Sequence, residues 1–360
     1  MPSDDVTRRE VLRRRLATQR LSIPGLATPA DAVRLLACVQ AQEHAHALFS
    51  LGLRTDGLDE ARAKAAFDEG TFVRTHILRP TWHYVAAEDL RWIQSVTADR
   101  VQRLNGTIYR REGLSSADLD RAADRIMAEV AEGQHKTRTE LGQVLGAERF
   151  ALAYLIMNAE LEGLICSGPM RKAQHTYALV DERAPHSVGG DMGELARRFF
   201  VGHGPASVSD FARWSSLTLT QSRQAVDQVA GRLERLEVDG MTLWADPDAP
   251  TAPTPPPDED PRAHLLPLFD EATLTYPQLN FPLADQHPHP PDAALYVGCV
   301  IVDETNVGTW RRTVQGKQVA IELALAPATT ARARRAAELG AERLATFLGR
   351  RPALSVHDGG

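Results

Sequence analysis

Two carboxamides one residue apart, Gln40 and Gln42 in the run Gln40-Ala41-Gln42, are the side chains whose type and spacing most invite a chemical reading. A carboxamide does not titrate in the working range, so neither can act as an ordinary general acid or base. It can hold a water, accepting through its carbonyl oxygen and donating through its NH2, and it can set a dipole against a developing positive charge. Spacing restricts the arrangement. On a regular helix, positions i and i+2 lie about 200° apart and share no face. If both amides serve one water, the motif must sit at a helix end or in a bent loop. Taken alone, it reads as a polar helix exit.

Other candidates carry less. Asp270-Glu271 is a carboxylate pair, read as a structural turn paired with Arg rather than as catalytic machinery. His76 and His83 fall in a β-rich run broken by Pro80, which argues against a metal-binding pair, and Trp82 reads as core. Arg171 and Lys172 lie in a hairpin placed to touch phosphate. Ser167-Gly168 and Gly189-Gly190 lack the context of a phosphate loop. Cys38, Cys166 and Cys299 are widely spaced with no CxxC pair, which argues against a zinc site or disulfide framework and for a reducing cytoplasm. No metal or cofactor is expected.

The elements that must position these groups follow from apolar periodicity. Residues 5–20 are helix-compatible, and Thr28-Pro29 starts a helix over 29–39 whose end at Gln40 would free the motif from helical geometry. Helices follow over 46–54 and 58–69, then β-rich runs at 72–79 and 81–85 around Pro80. Three helices followed by a hairpin outline a winged helix. The outline recurs twice. A helix over 117–131, a short one led into by Lys136-Thr137-Arg138-Thr139 and a helix over 148–162 precede strands at 164–167 and 174–179; helices over 191–201, 209–214 and 220–228 precede strands at 233–238 and 241–245. Residues 246–262, rich in Pro and acid, read as a loop. Strand-like segments at 295–302, 307–311 and 318–323 and a helix over 328–348 complete the chain. The expected fold class is mainly α with short β hairpins. It comprises three tandem winged-helix motifs (1–110, 111–190 and 191–246) and a C-terminal β-rich domain (247–360) with a closing helix.

Composition bounds the function. Hydrophobic content of 43% and charged content of 24% over 360 residues are those of an ordinary soluble protein of two to three domains. No apolar run approaches the roughly 18 residues of a membrane span, and the charged stretch from Asp4 to Arg15 lacks the apolar core of a signal peptide. A cytoplasmic location is expected. A net charge of −6 is awkward for a nucleic-acid binder. Its distribution softens the objection: residues 1–110 carry 16 basic against 13 acidic side chains, and the remainder 25 against 34. Five of the latter acids (Asp246, Asp248, Asp258, Glu259 and Asp260) fall in the Pro-rich stretch. Lys occurs only at 64, 136, 172 and 317; Arg suits bidentate phosphate contact, although a GC-rich genome produces the same bias.

In this setting Gln40-Ala41-Gln42 resembles the signature of the AlkZ/YcaQ group of bacterial DNA glycosylases. That signature is Gln, an apolar residue, then Gln in the AlkZ branch or Asp in the YcaQ branch, and the chain is similar to the first. Supporting stretches stand in the family's order over nearly the full length. They are Arg74-Thr75 with Arg79-Pro80-Thr81-Trp82-His83, then Leu265-Leu266-Pro267-Leu268-Phe269-Asp270-Glu271, then Gly308-Thr309-Trp310-Arg311. A departure is His44-Ala45-His46, where a proline and an arginine are expected.

The resemblance implies a C-shaped array of winged helices around a duplex, with a hairpin reaching toward the lesion. It also implies removal of N7-alkylated purines, including bulky adducts and interstrand crosslinks, in DNA repair or in self-resistance to a genotoxic natural product. Gln40 and Gln42 would be the catalytic pair. An N7-alkylguanine is already cationic and leaves as a neutral base, so what remains is to hold a water near C1′ and stabilise a sugar cation. Amides can do that. Neutral lesions such as uracil should be left alone, and bulky adducts call for an open cleft in place of a deep base pocket. DNA contacts are expected at Arg171, Lys172, Arg79, Arg311 and Arg312, with alkylated double-stranded DNA as the partner and a monomer as the working unit. The rival from another class is a non-catalytic winged-helix DNA-binding protein, either a transcriptional regulator or a lesion-sequestering resistance protein.

Overall fold

The computed structural model describes residues 6–251, 261–288 and 297–359. Much of the acidic, Pro-rich stretch (252–260) and residues 295–296 of the first C-terminal strand segment lie outside them.

The first interval contains α1 (Arg8–Thr18), α2 (Pro29–Leu36), β1 (Cys38–Gln40), α3 (His44–Arg54), α4 (Glu60–Glu69), β2 (Phe72–Arg79) and β3 (Thr81–Ala86). The three strands form an antiparallel sheet in the order β1-β3-β2. Here the structure departs from the expected 29–39 helix. A capping box between Thr28 and Asp31 starts α2, but the helix stops at Leu36 and Ala37 takes φ +58°. The chain then enters a strand, because Cys38, Val39 and Gln40 pair with Val85, Tyr84 and His83. Sheet pairing has overridden a helical apolar pattern only one turn longer than the real helix.

Beyond β3 comes α5 (Leu90–Arg111), which the apolar pattern had not announced, then α6 (Ser116–Val130), β4 (Lys136–Thr137), α7 (Arg138–Leu145), α8 (Arg149–Leu161), β5 (Ile165–Ser167) and β6 (Thr176–Leu179). The next group is α9 (Val180–Arg183), α10 (Met192–His203), α11 (Val208–Ser215), α12 (Leu219–Val229) and the hairpin β7 (Glu234–Val238) and β8 (Met241–Ala245). Local chemistry sets many of these helix starts. Capping boxes Ser115/Asp118, Thr137/Glu140, Ser207/Asp210 and Thr218/Gln221 each satisfy otherwise unpaired backbone donors.

The C-terminal part holds β9 (Ala263–Leu266), α13 (Glu271–Leu274), β10 (Gly298–Val302), β11 (Thr305–Gln315), β12 (Gln318–Leu325), α14 (Ala331–Phe347) and β13 (Arg351–Asp358). Its sheet runs β13-β12-β11-β10-β9, with β13 parallel to β12 and the other neighbours antiparallel. Strands β9 and β13 were not expected. With a five-stranded sheet, the fold is mixed α/β rather than mainly α with short hairpins.

The cores cross the sequence intervals. Val33, Leu36 and Leu48 from α2 and α3 share a core with Trp310 and Leu323 of the C-terminal sheet and with Leu344 of α14. Cys38, Val73 and Val85 of the first sheet share another with Ile93 of α5 and with Phe199, Phe211 and Trp214 of α10 and α11. Gly202 shows how close this contact is: a Cβ there would lie 2.1 Å from the Leu35 carbonyl oxygen at the end of α2. The first sheet is thus clamped from both sides, and β1 carries Gln40 at its exit.

Candidate active site

The motif occupies the end of a strand. Ala41 N–H donates to the Trp82 carbonyl at 2.7 Å, which prolongs the β1–β3 contact, and the chain then bends. Gln40 is 7% exposed. Its Oε1 accepts the Gln42 backbone N–H at 3.1 Å, so the first glutamine shapes the turn that presents the second. Gln42 is half-buried and lines a half-open cavity of about 490 Å³; Gln40 is not among the residues lining it. The turn solves the facing problem posed by i, i+2 spacing on a helix, but it does so by assigning the two amides different surroundings.

Behind the motif lies a buried polar layer. Glu271 Oε1 accepts the Gln40 backbone N–H at 2.8 Å, and Thr275 donates to the other carboxylate oxygen at 3.1 Å. Burial raises the Glu271 pKa, an effect only partly offset by the Arg79 charge and the Gln40 N–H. Neighbouring Asp270 behaves oppositely. Burial pushes its pKa up, but the Arg54 charge and hydrogen bonds from Arg54 and Ser50 outweigh that and leave it below the ordinary carboxylate range. Arg54 grips both Asp270 oxygens at 2.8 and 2.9 Å and donates to Gln19 Oε1 at 2.8 Å, with both ion-pair side chains wholly buried. The carboxylate pair is therefore a structural turn held by Arg54, with Glu271 bracing the glutamine strand.

Further family stretches close onto the same place. The Trp310 indole donates to the Leu266 carbonyl at 2.9 Å, and the His46 ring stacks on Trp310 with centroids 5.8 Å apart. His46 Nδ1 accepts the Leu268 N–H at 3.2 Å, and His44 Nδ1 meets the Tyr84 hydroxyl at 2.6 Å. Burial lowers the His44 pKa to about 3 and the His46 pKa to about 4. His44 and His46 are thus neutral packing groups, and neither lines the Gln42 cavity.

In front of the motif, Arg74 holds the bend: it donates to the Ala41 carbonyl at 2.9 Å and the Gln42 carbonyl at 3.3 Å. Its guanidinium lies over the Trp82 ring at 4.2 Å, a cation–π contact. Trp82 is half-buried, with a face in the cavity, so the reading of it as core is only partly right. His76 sits across the sheet from Trp82, ring centroids 4.6 Å apart, and its Nδ1 is hydrogen-bonded to buried Glu160 on α8. Phe150, 62% exposed, and exposed Arg138 and Arg149 complete the rim. His83 belongs to the other layer. Burial and the Arg79 charge drive its pKa well down, so neutral Nε2 accepts from Arg79 at 3.0 Å while Nδ1 faces the Thr81 carbonyl at 2.9 Å.

The expected DNA contacts divide. Arg171 and Lys172 are exposed on the β5–β6 connection, with Arg171 paired to Glu140 at 2.8 Å. Arg311 is exposed on β11 and paired with Glu322. Arg312 is half-buried and donates to the Ala45 carbonyl at 3.2 Å. Arg79 turns inward toward His83 and Glu271, a poor position for phosphate contact. Sequence reasoning passed over Glu160, Arg138, Arg149 and Phe150. A signal was present in Glu160, a carboxylate inside the apolar run of α8, since such a residue is buried only when paired.

The chain matches the family described as "DNA glycosylase AlkZ-like" over residues 33–347 and belongs to that family. It is a DNA glycosylase, a hydrolase of N-glycosyl bonds in DNA, which sets aside the non-catalytic binder. A relative from Streptomyces sahachiroi, named "Interstrand DNA cross-link repair glycosylase", is 23% identical over 273 residues, 68% of this chain and 72% of that protein. The solved structure of Streptomyces sahachiroi DNA glycosylase AlkZ shares the fold. The TM-score is 0.76 at 20% identity, covering 98% of this chain and 100% of that one. No helix among the described residues is long and apolar enough to cross a membrane.

Proposed function

We propose that the enzyme hydrolyses the N-glycosidic bond of N7-alkylpurine adducts in double-stranded DNA, with Gln40 and Gln42 as its chemical centre. Interstrand crosslinks belong to this range, as the name of the Streptomyces relative suggests. A role in DNA repair or in self-resistance to a genotoxic natural product follows from such substrates. The observation that carries the reading is the place of Gln42. Its amide lines a half-open, largely apolar cavity between Trp82 and Phe150, with Arg138 and Arg149 at the rim. Such a cavity suits a planar, cationic aglycone presented from a polyanion, and an amide there can hold water beside C1′. Gln40, spent on the turn, contributes by fixing that amide in place. DNA contact then falls to Arg171, Lys172 and Arg311, joined by Arg138 and Arg149. The recurring order of helices then hairpin favours three winged-helix units; a monomer working in the cytoplasm is the setting we propose for them.

The test is single-turnover release of N7-methylguanine, and of a bulkier N7 adduct, from duplex DNA, read as abasic sites. Gln40→Ala and Gln42→Ala should each lose between about tenfold and a thousandfold, equivalent to ~1.4–4 kcal/mol of barrier, while keeping fold and DNA affinity. Wild-type rates in both variants, or efficient removal of uracil by the native enzyme, would overturn the reading.

A further inference from the structure

We infer that His76, oriented by Glu160, is the general base that takes the proton from the attacking water. The inference rests on the glycosylase reading of the Gln42 cavity and supplies what two amides cannot, a proton acceptor. Among the groups lining that cavity, amides, guanidiniums and phenols accept a proton poorly near neutral pH, and the thioether of Met157 does not serve. The imidazole of His76 is the exception. Its Nδ1 is engaged by Glu160, its Nε2 makes no hydrogen bond to the described residues, and the side chain lines the cavity. A carboxylate accepting from Nδ1–H fixes the tautomer that leaves Nε2 as an acceptor. Both side chains are almost fully buried, at 3% and 1% exposure, so the pair is rigid.

The step balances. The C1′–N bond breaks with its electron pair moving to the cationic purine, which departs neutral. The water held by Gln42 bonds through oxygen to C1′, and its proton passes to His76 Nε2, to be lost to solvent after the base leaves. The surrounding charges have defined positions. Arg74 lies on the same strand, and Glu160 comes from α8 with Tyr177 of β6 beside it. His83 of β3 is held neutral next to Arg79, which in turn lies near Arg213 of α11. Arg138, Arg149 and Tyr154 face the cavity.

The experiment is a single-turnover pH–rate profile of the full-length protein on N7-methylguanine duplex, with spontaneous depurination subtracted. Thermal stability and DNA affinity are measured alongside. The native enzyme should lose about tenfold per pH unit on the acid side, the signature of one proton on an essential base. His76→Gln should lose at least about tenfold at neutral pH and become flat, whereas Gln42→Ala should be slow but keep the acid limb. Glu160→Gln, useful if His76→Gln does not fold, removes the carboxylate that fixes the tautomer and should lose at least about tenfold at neutral pH. A native enzyme that excises with no acid limb, or a His76→Gln profile matching the native one, overturns the base and leaves the glycosylase reading standing. A native enzyme that releases no N7-alkylpurine at any pH fails the parent reading instead.

Discussion

The two sides of the Gln40–Gln42 bend are built from opposite materials. Behind it, Asp270, Arg54, Ser50 and Gln19 form a layer in which buried polar groups are locked to one another, and Glu271 ties that layer to the Gln40 backbone. In front, Gln42, His76 and Trp82 meet a half-open cavity whose rim cations, Arg138 and Arg149, are exposed. The back spends most of its polar groups internally: the Asp270 carboxylate oxygens and two of the Arg54 nitrogens are paired within the layer. The front keeps an amide, an imidazole nitrogen and aromatic surface uncommitted. A neutral amide cannot be drawn to a target by charge, so its position must come from the backbone; a rigid rear and an uncommitted front are the two halves of that requirement.

The largest effect expected from this contrast is on stability. Asp270→Ala leaves Arg54 buried without its carboxylate and should cost about 3–5 kcal/mol in chemical denaturation. Arg138→Ala at the rim should change stability by less than ~0.5 kcal/mol. Similar losses in the two variants would dissolve the contrast.

A second, smaller effect separates the adjacent carboxylates by pH. Asp270 titrates below its ordinary 3.8 in the folded protein, so its stabilisation is complete above that value and is lost as pH falls further. Glu271 titrates above its ordinary 4.5. Its contribution is therefore present below 4.5 and is lost as pH rises through the elevated folded value. Glu271→Gln, which retains an oxygen for the Gln40 N–H, should make the protein more stable than the native form at neutral pH and flatten the stability–pH curve above 4.5. Equal curves for variant and native protein would show that burying the Glu271 carboxylate carries no cost at neutral pH. The smallest effect belongs to the rim. Arg138→Ala and Arg149→Ala should each reduce the salt dependence of duplex binding by about one phosphate contact; an unchanged slope would remove the rim from the DNA footprint.

Much of this molecule was readable from local rules. Thr28-Pro29, Ser207-Asp210 and the turn at Asp239-Gly240 start helices or close a hairpin through interactions within a few residues, and those elements stand close to where periodicity put them. Two long apolar patterns were misjudged. The helix expected over 29–39 gave way to β1 because its pairing partner, β3, lies more than forty residues away, and α5 mixes buried polar residues (Gln94, Thr97, Asn105) into its inward face. Strands β9 and β13 depend on partners far along the chain in the same way.

By itself, the sequence determined many helix starts, several hairpins and the family-like stretches that point to Gln40 and Gln42, because caps, turns and short motifs are local chemistry. Only the tertiary structure decided where each of those glutamines sits and what surrounds it. It sets Gln40 against Glu271 from 231 residues away and turns Gln42 toward His76 and Trp82. It also shows Glu160, from the far end of α8, fixing the one imidazole in that cavity. The physical reason is that exposure, charge and hydrogen-bond partnership are properties of a side chain's surroundings, and here those surroundings are assembled from segments that no local pattern connects.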